Sequence, residues 1–137
     1  MTRDITLYIK DMLDNMDKSA TFIEGMSYKE FLTDEKTSYA VVRCIEIIGE
    51  AAKNVPYDVR RKYPKIPWQK MAGMRDKIAH FYFGIDFKKV WLVVKKDIPV
   101  LKPQIKKVLE DMKSSKMLAQ LGGDEKELKT IPRRRTR

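Results

Sequence analysis

Of the 137 residues, one is cysteine and one is histidine. A lone Cys44 can close no disulfide and no CxxC knuckle within one chain, which points to a reducing compartment. A lone His80 leaves no histidine-rich metal set, and HExxH, Walker and GxGxxG patterns are also missing. Zinc catalysis, nucleotide hydrolysis and dinucleotide chemistry therefore find no support in the residues, and neither a metal nor a cofactor is expected. No stretch approaches the roughly 20 apolar residues that span a bilayer, and MTRDITLYIKDMLDNM has no unbroken apolar run like that of a signal peptide. The expectation is a cytoplasmic protein without a membrane partner. Acidic residues are also in deficit, 19 against 29 Lys plus Arg, for a formal charge of +10. Without the final RRRTR, which supplies four of those charges, 25 basic residues still face 19 acidic ones. The excess is expected to be spread through the folded part and to favour RNA, DNA or nucleotides as partners.

What is there is helical periodicity. Ile5, Tyr8, Ile9, Met12 and Met16 recur at helical spacing, so residues 4 to about 22 read as an amphipathic helix ending near Gly25. Ser27 and Glu30 form a capping-box pattern for a short helix. Thr33 or Asp34 can cap the next one, where Val41, Cys44, Ile45, Ile48, Ala52 and Val55 make an apolar stripe widened by Ala40, Ile47 and Ala51. This is the candidate central helix. Gly49 costs stability inside it unless another helix approaches closely. VPYDVRRKYPKIP reads as a connection with at most a short helical turn. Pro67 opens PWQKMAGMRDKIAHF, and after Gly84 a last helical pattern carries Val90, Val94, Leu101, Ile105, Leu109 and Met112, with Pro99 and Pro103 as kink points. The apolar pattern decays from Ser114 onward. The prediction is an all-α, up-and-down bundle of four to five helices over 1–113, with a basic, flexible tail over 114–137.

The one histidine lies in RDKIAHFY, Arg75 to Tyr82. If the helix continues through it, Asp76 and His80 are four apart on one face, and the carboxylate can orient the imidazole and favour its protonated form. Arg75 and Tyr82 would then share a neighbouring face, with Met74 and Ile78 turned to the core. RNA phosphodiester cleavage without a metal needs a base for the 2′-OH, an acid for the leaving 5′-oxygen and a cation for the phosphorane. His80 suits either proton transfer, Arg75 suits phosphate, and Tyr82 can orient phosphate or stack on a base. One chain offers one imidazole, so a site using two must be assembled from two subunits.

The array also resembles a known family. SYAVVRCIEIIGEAAKNVP, KIPWQKMAGMRDKIAHFYFGID and VWLVVKKDIPVLKPQI, following an N-terminal helix, look like the HepT-like toxins of the HEPN superfamily, over roughly residues 1 to 112. The R-x4-H-x-Y marker falls on Arg75, His80 and Tyr82, with Asp76 as its polar residue. The resemblance implies an all-α homodimer with facing motifs, and a metal-independent endoribonuclease forming a cyclic phosphate. It further implies a toxin neutralised by a cognate MNT-type nucleotidyltransferase antitoxin that attaches AMP to the motif tyrosine. Arg75 and His80 become the catalytic pair and Tyr82 the modification site. Asp76 stands where Asn is frequent and Phe81 where Gly is frequent.

Arg43 and Glu50 could line the same cleft, or could belong to a salt-bridged outer strip with Glu46 and Lys53. Trp68, Trp91, Phe83 and Phe87 read as core or dimer-interface residues. The KK, RR and KPQIKK clusters read as solvated faces, and RRRTR as a possible RNA-gripping arm. Two other functions fit the same residues: a non-catalytic helical partner of a nucleotidyltransferase, and a basic nucleic-acid-binding module.

Overall fold

The structure, a computed structural model, describes residues 4–80 and 84–120, the side chains of His80 and Gln120 excepted. Helix α1 spans Ile5–Phe22, its N-terminal amides capped by the Asp4 carboxylate, which accepts from the Thr6 N–H at 2.9 Å. Ile9, Met12 and Met16 are fully buried, three and four residues apart, as the stripe predicted. Gly25, at φ +77°, turns the chain into α2, Tyr28–Thr33. Both halves of the Ser27–Glu30 capping box form, at 3.1 and 2.8 Å.

Of the two candidate caps for α3 (Glu35–Lys53), Asp34 takes the position, accepting from the Thr37 N–H and hydroxyl. Thr33 instead bonds back to carbonyls of its own helix. Helix α3 is central: it packs on α1, on α2 and on three later helices, and its predicted stripe from Val41 to Val55 is buried. The proline-rich connection holds one short helix, α4 (Tyr57–Lys62). There the Arg60 guanidinium donates to the Ala52 and Val55 carbonyls at 2.8 and 2.9 Å, closing the C-terminus of α3.

The last rod is α7 (Phe87–Leu92), a π-helical segment (Val93–Asp97) and α8 (Ile98–Gln120) in direct succession. The wide turn comes immediately before Pro99, with the Ile98 N–H reaching back five residues to the Val93 carbonyl. A proline without an N–H, and with a ring that crowds the preceding turn, is relieved by such a widening. Pro103 lies inside α8 without ending it. Asp4 pairs with Lys116, the Thr6 hydroxyl meets Met112 and Asp17 pairs with Lys102, so α1 and α8 run antiparallel. The fold is all-α, as predicted, but the described residues form eight α-helices in place of the four to five expected, five of them of six residues or fewer. Phe31 plugs one end of the core against Phe87 and Trp91, and Trp68 is buried, so these aromatics pack inward as expected; Phe83 lies outside the described residues.

Two further details differ from the sequence reading. Helix α8 does not decay at Ser114 but runs to Gln120, with Lys116 tied to Asp4 at 2.6 Å across the bundle. The basic end RRRTR lies outside the described residues. The second difference is a two-residue antiparallel ladder in an otherwise helical chain, Ala79–His80 (β1) against Gly84–Ile85 (β2). No helix among the described residues is long and apolar enough to cross a membrane.

Candidate active site at a helix-to-hairpin switch

The expected continuous helix from Pro67 through His80 is broken twice. Helix α5 (Trp68–Ala72) stops at Gly73, and α6 (Met74–Ile78) begins immediately after it. Met71, Met74 and Ile78 are buried and fix both short helices to the core. They seat against α3 where Gly49 has no side chain. A Cβ on Gly49 would stand 3.2 Å from the Met71 carbonyl oxygen and 3.8 Å from the Arg75 backbone nitrogen. The close approach anticipated for this glycine is therefore to the C-terminal end of α5, which leads into the motif helix.

Helix α6 ends at Ile78. Ala79 is extended at φ −92° and ψ 133°, and its N–H still donates to the Arg75 carbonyl. The chain then pairs Ala79 with Ile85 and His80 with Gly84. Gly84, at φ +83°, occupies a conformation that side chains disfavour. The Asp86 N–H donates to the Ile78 carbonyl at 2.7 Å, and the Asp86 carboxylate caps α7 by accepting from the Lys89 N–H. The hairpin is thus clamped at its base between α6 and α7.

This corrects the helical geometry expected for the motif. Asp76 and His80 do not share one helix face, because the backbone leaves the helix between them; Asp76 is exposed in the first turn of α6. Helicity does not persist past Ile78. The extended stretch wins because the Ile78, Ala79 and His80 backbones find partners in the returning strand. The Arg75 carbonyl accepts from the Ala79 N–H, so one backbone hydrogen bond links the turn that carries Arg75 to the strand that carries His80. Arg75 is exposed on α6, beside the buried Met74 and Ile78. Tyr82 and Phe81 lie outside the described residues.

Arg43 and Glu50 sit elsewhere on α3. Arg43 pairs with Glu46 at 3.4 Å and is 63% exposed, the salt-bridged strip foreseen as the alternative to cleft lining. Glu50 lines a cavity of about 210 Å³ between α1 and α3, with Tyr8, Asp11 and Asn54. Among the described residues neither side chain bonds to α6. Residues that the sequence reading missed are Asp86, which holds the hairpin to α7, and Lys70, Lys77 and Lys96. These lysines line a cavity of about 280 Å³ where α5 and α6 meet the rod. An Asp immediately before an apolar helical run is a cap signal that could have found the first. The lysine cluster joins segments about 20 residues apart and has no local signal. Among the described residues, no three His, Cys, Asp or Glu side chains converge as a metal-ligand group.

A bundle closed on a central helix, with an Arg and a His at a clamped helix-to-hairpin switch, defines an all-α protein with one motif-bearing corner. Residues 12–108 match the family described as ribonuclease HepT-like. The chain is 46% identical over 110 residues to a Methanocaldococcus jannaschii protein provisionally named as an RNase, covering 80% of this chain and 91% of that one. It is 44% identical over 108 residues to a Thermococcus cleftensis protein named probable ribonuclease HepT, covering 79% and 98%. It is 40% identical over 106 residues to a Caldanaerobacter subterraneus protein, also provisionally named as an RNase, covering 77% and 95%. No solved structure matches it at a significant level. The chain belongs to the HepT-like ribonuclease family.

Proposed function

We propose that this protein is a metal-independent endoribonuclease, the toxin of a toxin–antitoxin pair, working as a homodimer with one R-x4-H motif from each protomer at a shared cleft. The observation that carries the reading is the place of Arg75 and His80 on either side of one hydrogen-bonded helix-to-strand switch, in a chain whose relatives are named as ribonucleases. One imidazole takes the proton of the ribose 2′-OH as that oxygen attacks phosphorus. The imidazole of the other protomer delivers a proton to the departing 5′-oxygen as the P–O5′ bond breaks, leaving a 2′,3′-cyclic phosphate. The Arg75 guanidinium of each motif offers planar donors to the phosphorane oxygens. Tyr82 is the residue through which a cognate MNT-type nucleotidyltransferase silences the toxin by transferring AMP. The added phosphate repels the substrate backbone and fills the approach to it.

The test is cleavage of a mixed RNA pool by the purified chain in EDTA, with the ends analysed for cyclic phosphate. His80→Ala and Arg75→Ala are each expected to reduce cleavage by about 10²-fold or more while the circular dichroism spectrum stays unchanged. Cleavage that vanishes in EDTA, or that survives in His80→Ala, refutes the mechanism.

A further inference from the structure

The excess positive charge is not spread through the fold. Residues 1–86 hold 14 basic and 13 acidic side chains, whereas residues 87–120, α7 through α8, hold nine lysines against three acidic residues. The rod's inner side is core, from Val90 and Val93 to Ile105 and Val108, so its lysines crowd onto the outer arc, apart from Lys102 and Lys116, which pair with Asp17 and Asp4 at α1. Three Lys-Lys pairs, 88–89, 95–96 and 106–107, are each exposed where the intervening Val90, Val94, Ile105 and Val108 are buried, and so lie on the rod's outer side. From the first pair to the last, the helix advances about 27 Å.

Few of these charges are neutralised. Lys107 leans toward Asp111 at 3.8 Å while its side chain stays 70% exposed, and Lys95 lies over the Trp91 ring at 5.2 Å. The side chains of Lys88, Lys89, Lys96 and Lys106 are exposed, with no ion pair or hydrogen bond among the described residues. At its middle the rod touches the motif helix. Lys77 of α6 pairs with Asp97 at 3.6 Å, and Lys70, Lys77 and Lys96 line the cavity at that junction. Asp97, the one carboxylate lining that cavity, is already matched by Lys77, leaving a net cationic seam on α6, the short helix that also carries Arg75.

We propose that the outer lysine face of the α7–α8 rod, joined to α6 through the Lys70–Lys77–Lys96 cavity, is the track on which this protein holds the RNA backbone beside Arg75 and His80. A polyanion is the complementary occupant: the face is long and cationic, so it recognises phosphates and not bases. The proposal rests on the ribonuclease reading for the identity of the polyanion, and names where on the protein that substrate lies.

The experiment measures binding of a dye-labelled 20-nucleotide single-stranded RNA by anisotropy between 50 and 200 mM salt, in EDTA, on a His80→Ala background that prevents cutting. A rod variant with Lys88, Lys89, Lys106 and Lys107→Gln is compared with an equal-charge control, Lys10, Lys29, Lys36 and Lys53→Gln; circular dichroism confirms that both fold. The rod variant is expected to lower the slope of log affinity against log salt by about 3, at about 0.7 per lost phosphate contact, and to bind about tenfold or more weakly at low salt. The control should keep the parental slope. An unchanged slope in the rod variant, or equal losses in both variants, overturns the proposal. Polyglutamate that binds more tightly than RNA through the same four lysines also overturns it, in favour of an acidic protein partner. Cleavage by the chain with His80 intact separates this reading from the one beneath it. No cleavage with a lysine-dependent slope leaves the track standing and removes the ribonuclease, whereas normal cleavage with a lysine-independent slope does the reverse.

Discussion

Residues up to Asp86 and the rod that follows them divide the molecule's work unequally. The first region is almost neutral and packs its helices around α3; the second, less than half as long, closes the core with its inner side, has a net excess of six positive charges and carries most of its lysines on its outer side. Stability and long-range electrostatics are thus assigned to different faces of one element and not to different domains. Such a rod can lose surface charge with little structural cost, because exposed lysines contribute little to folding and like charges along a helix oppose it. The packed side has no such latitude. The motif corner sits where the two regions join, with Arg75 on α6 and the hairpin base held by Asp86 at the head of α7.

The sharpest way to break this division is to damage the core of the neutral region and ask whether the basic face notices. Phe31 is fully buried against Phe87 and Trp91. Phe31→Ala should cost about 3–5 kcal/mol in denaturant unfolding, with the salt slope of RNA affinity unchanged below the melting transition. Loss of that slope in a still-folded variant would mean that the two faces are coupled.

Gly49→Val tests the junction itself. The added side chain must displace the Met71 carbonyl, and about 2 kcal/mol of destabilisation is expected from overpacking. Because Met71 and Ala72 lead through Gly73 directly into α6, RNA cleavage should fall at temperatures where the variant is still folded, whereas Phe31→Ala should spare it. Equal cleavage per folded molecule in the two variants would dissociate the motif from α3.

A smaller effect is expected from Ser27→Ala, which removes one half of the capping box ahead of α2. About 1 kcal/mol should be lost in thermal unfolding, with cleavage and RNA affinity both unaltered. The smallest concerns the tie between the regions at the far end. Lys116 and the Thr6 amide hold the Asp4 carboxyl down at about 2, below its usual 3.8. A depressed acid stabilises the fold above its unfolded value and loses that contribution as pH falls through the folded one. Protection of α8 amides near Lys116 from hydrogen exchange should therefore weaken between about pH 4 and pH 2, and Asp4→Asn should flatten that dependence. A pH profile identical in Asp4→Asn would show that the tie does not hold the helix end.

Much of this was legible in the residue order because it depends on neighbours along the chain. The stripe at Ile9, Met12 and Met16, the Ser27–Glu30 box and the buried run from Val41 to Val55 all follow from side chains three and four residues apart, and the structure has each of them. The family resemblance was legible for the same reason, and the match over residues 12–108 agrees with it. The motif was legible as composition and not as geometry. Helical periodicity carried Asp76 and His80 onto one face, since nothing local announces that a strand will return to claim the backbone of residues 78 to 80.

Local order, then, determined which segments are helices, which sides they bury and which residues make up the motif, because propensity, capping and periodicity act over a few ångströms along the chain. Tertiary structure alone decided that α6 stops at Ile78, that α8 continues to Lys116 and beyond, and that lysines from α5, α6 and the rod converge on one seam. Each of those outcomes depends on a hydrogen-bond partner, an opposite charge or a packed neighbour delivered by a distant segment, and such partners come within range only when the bundle closes.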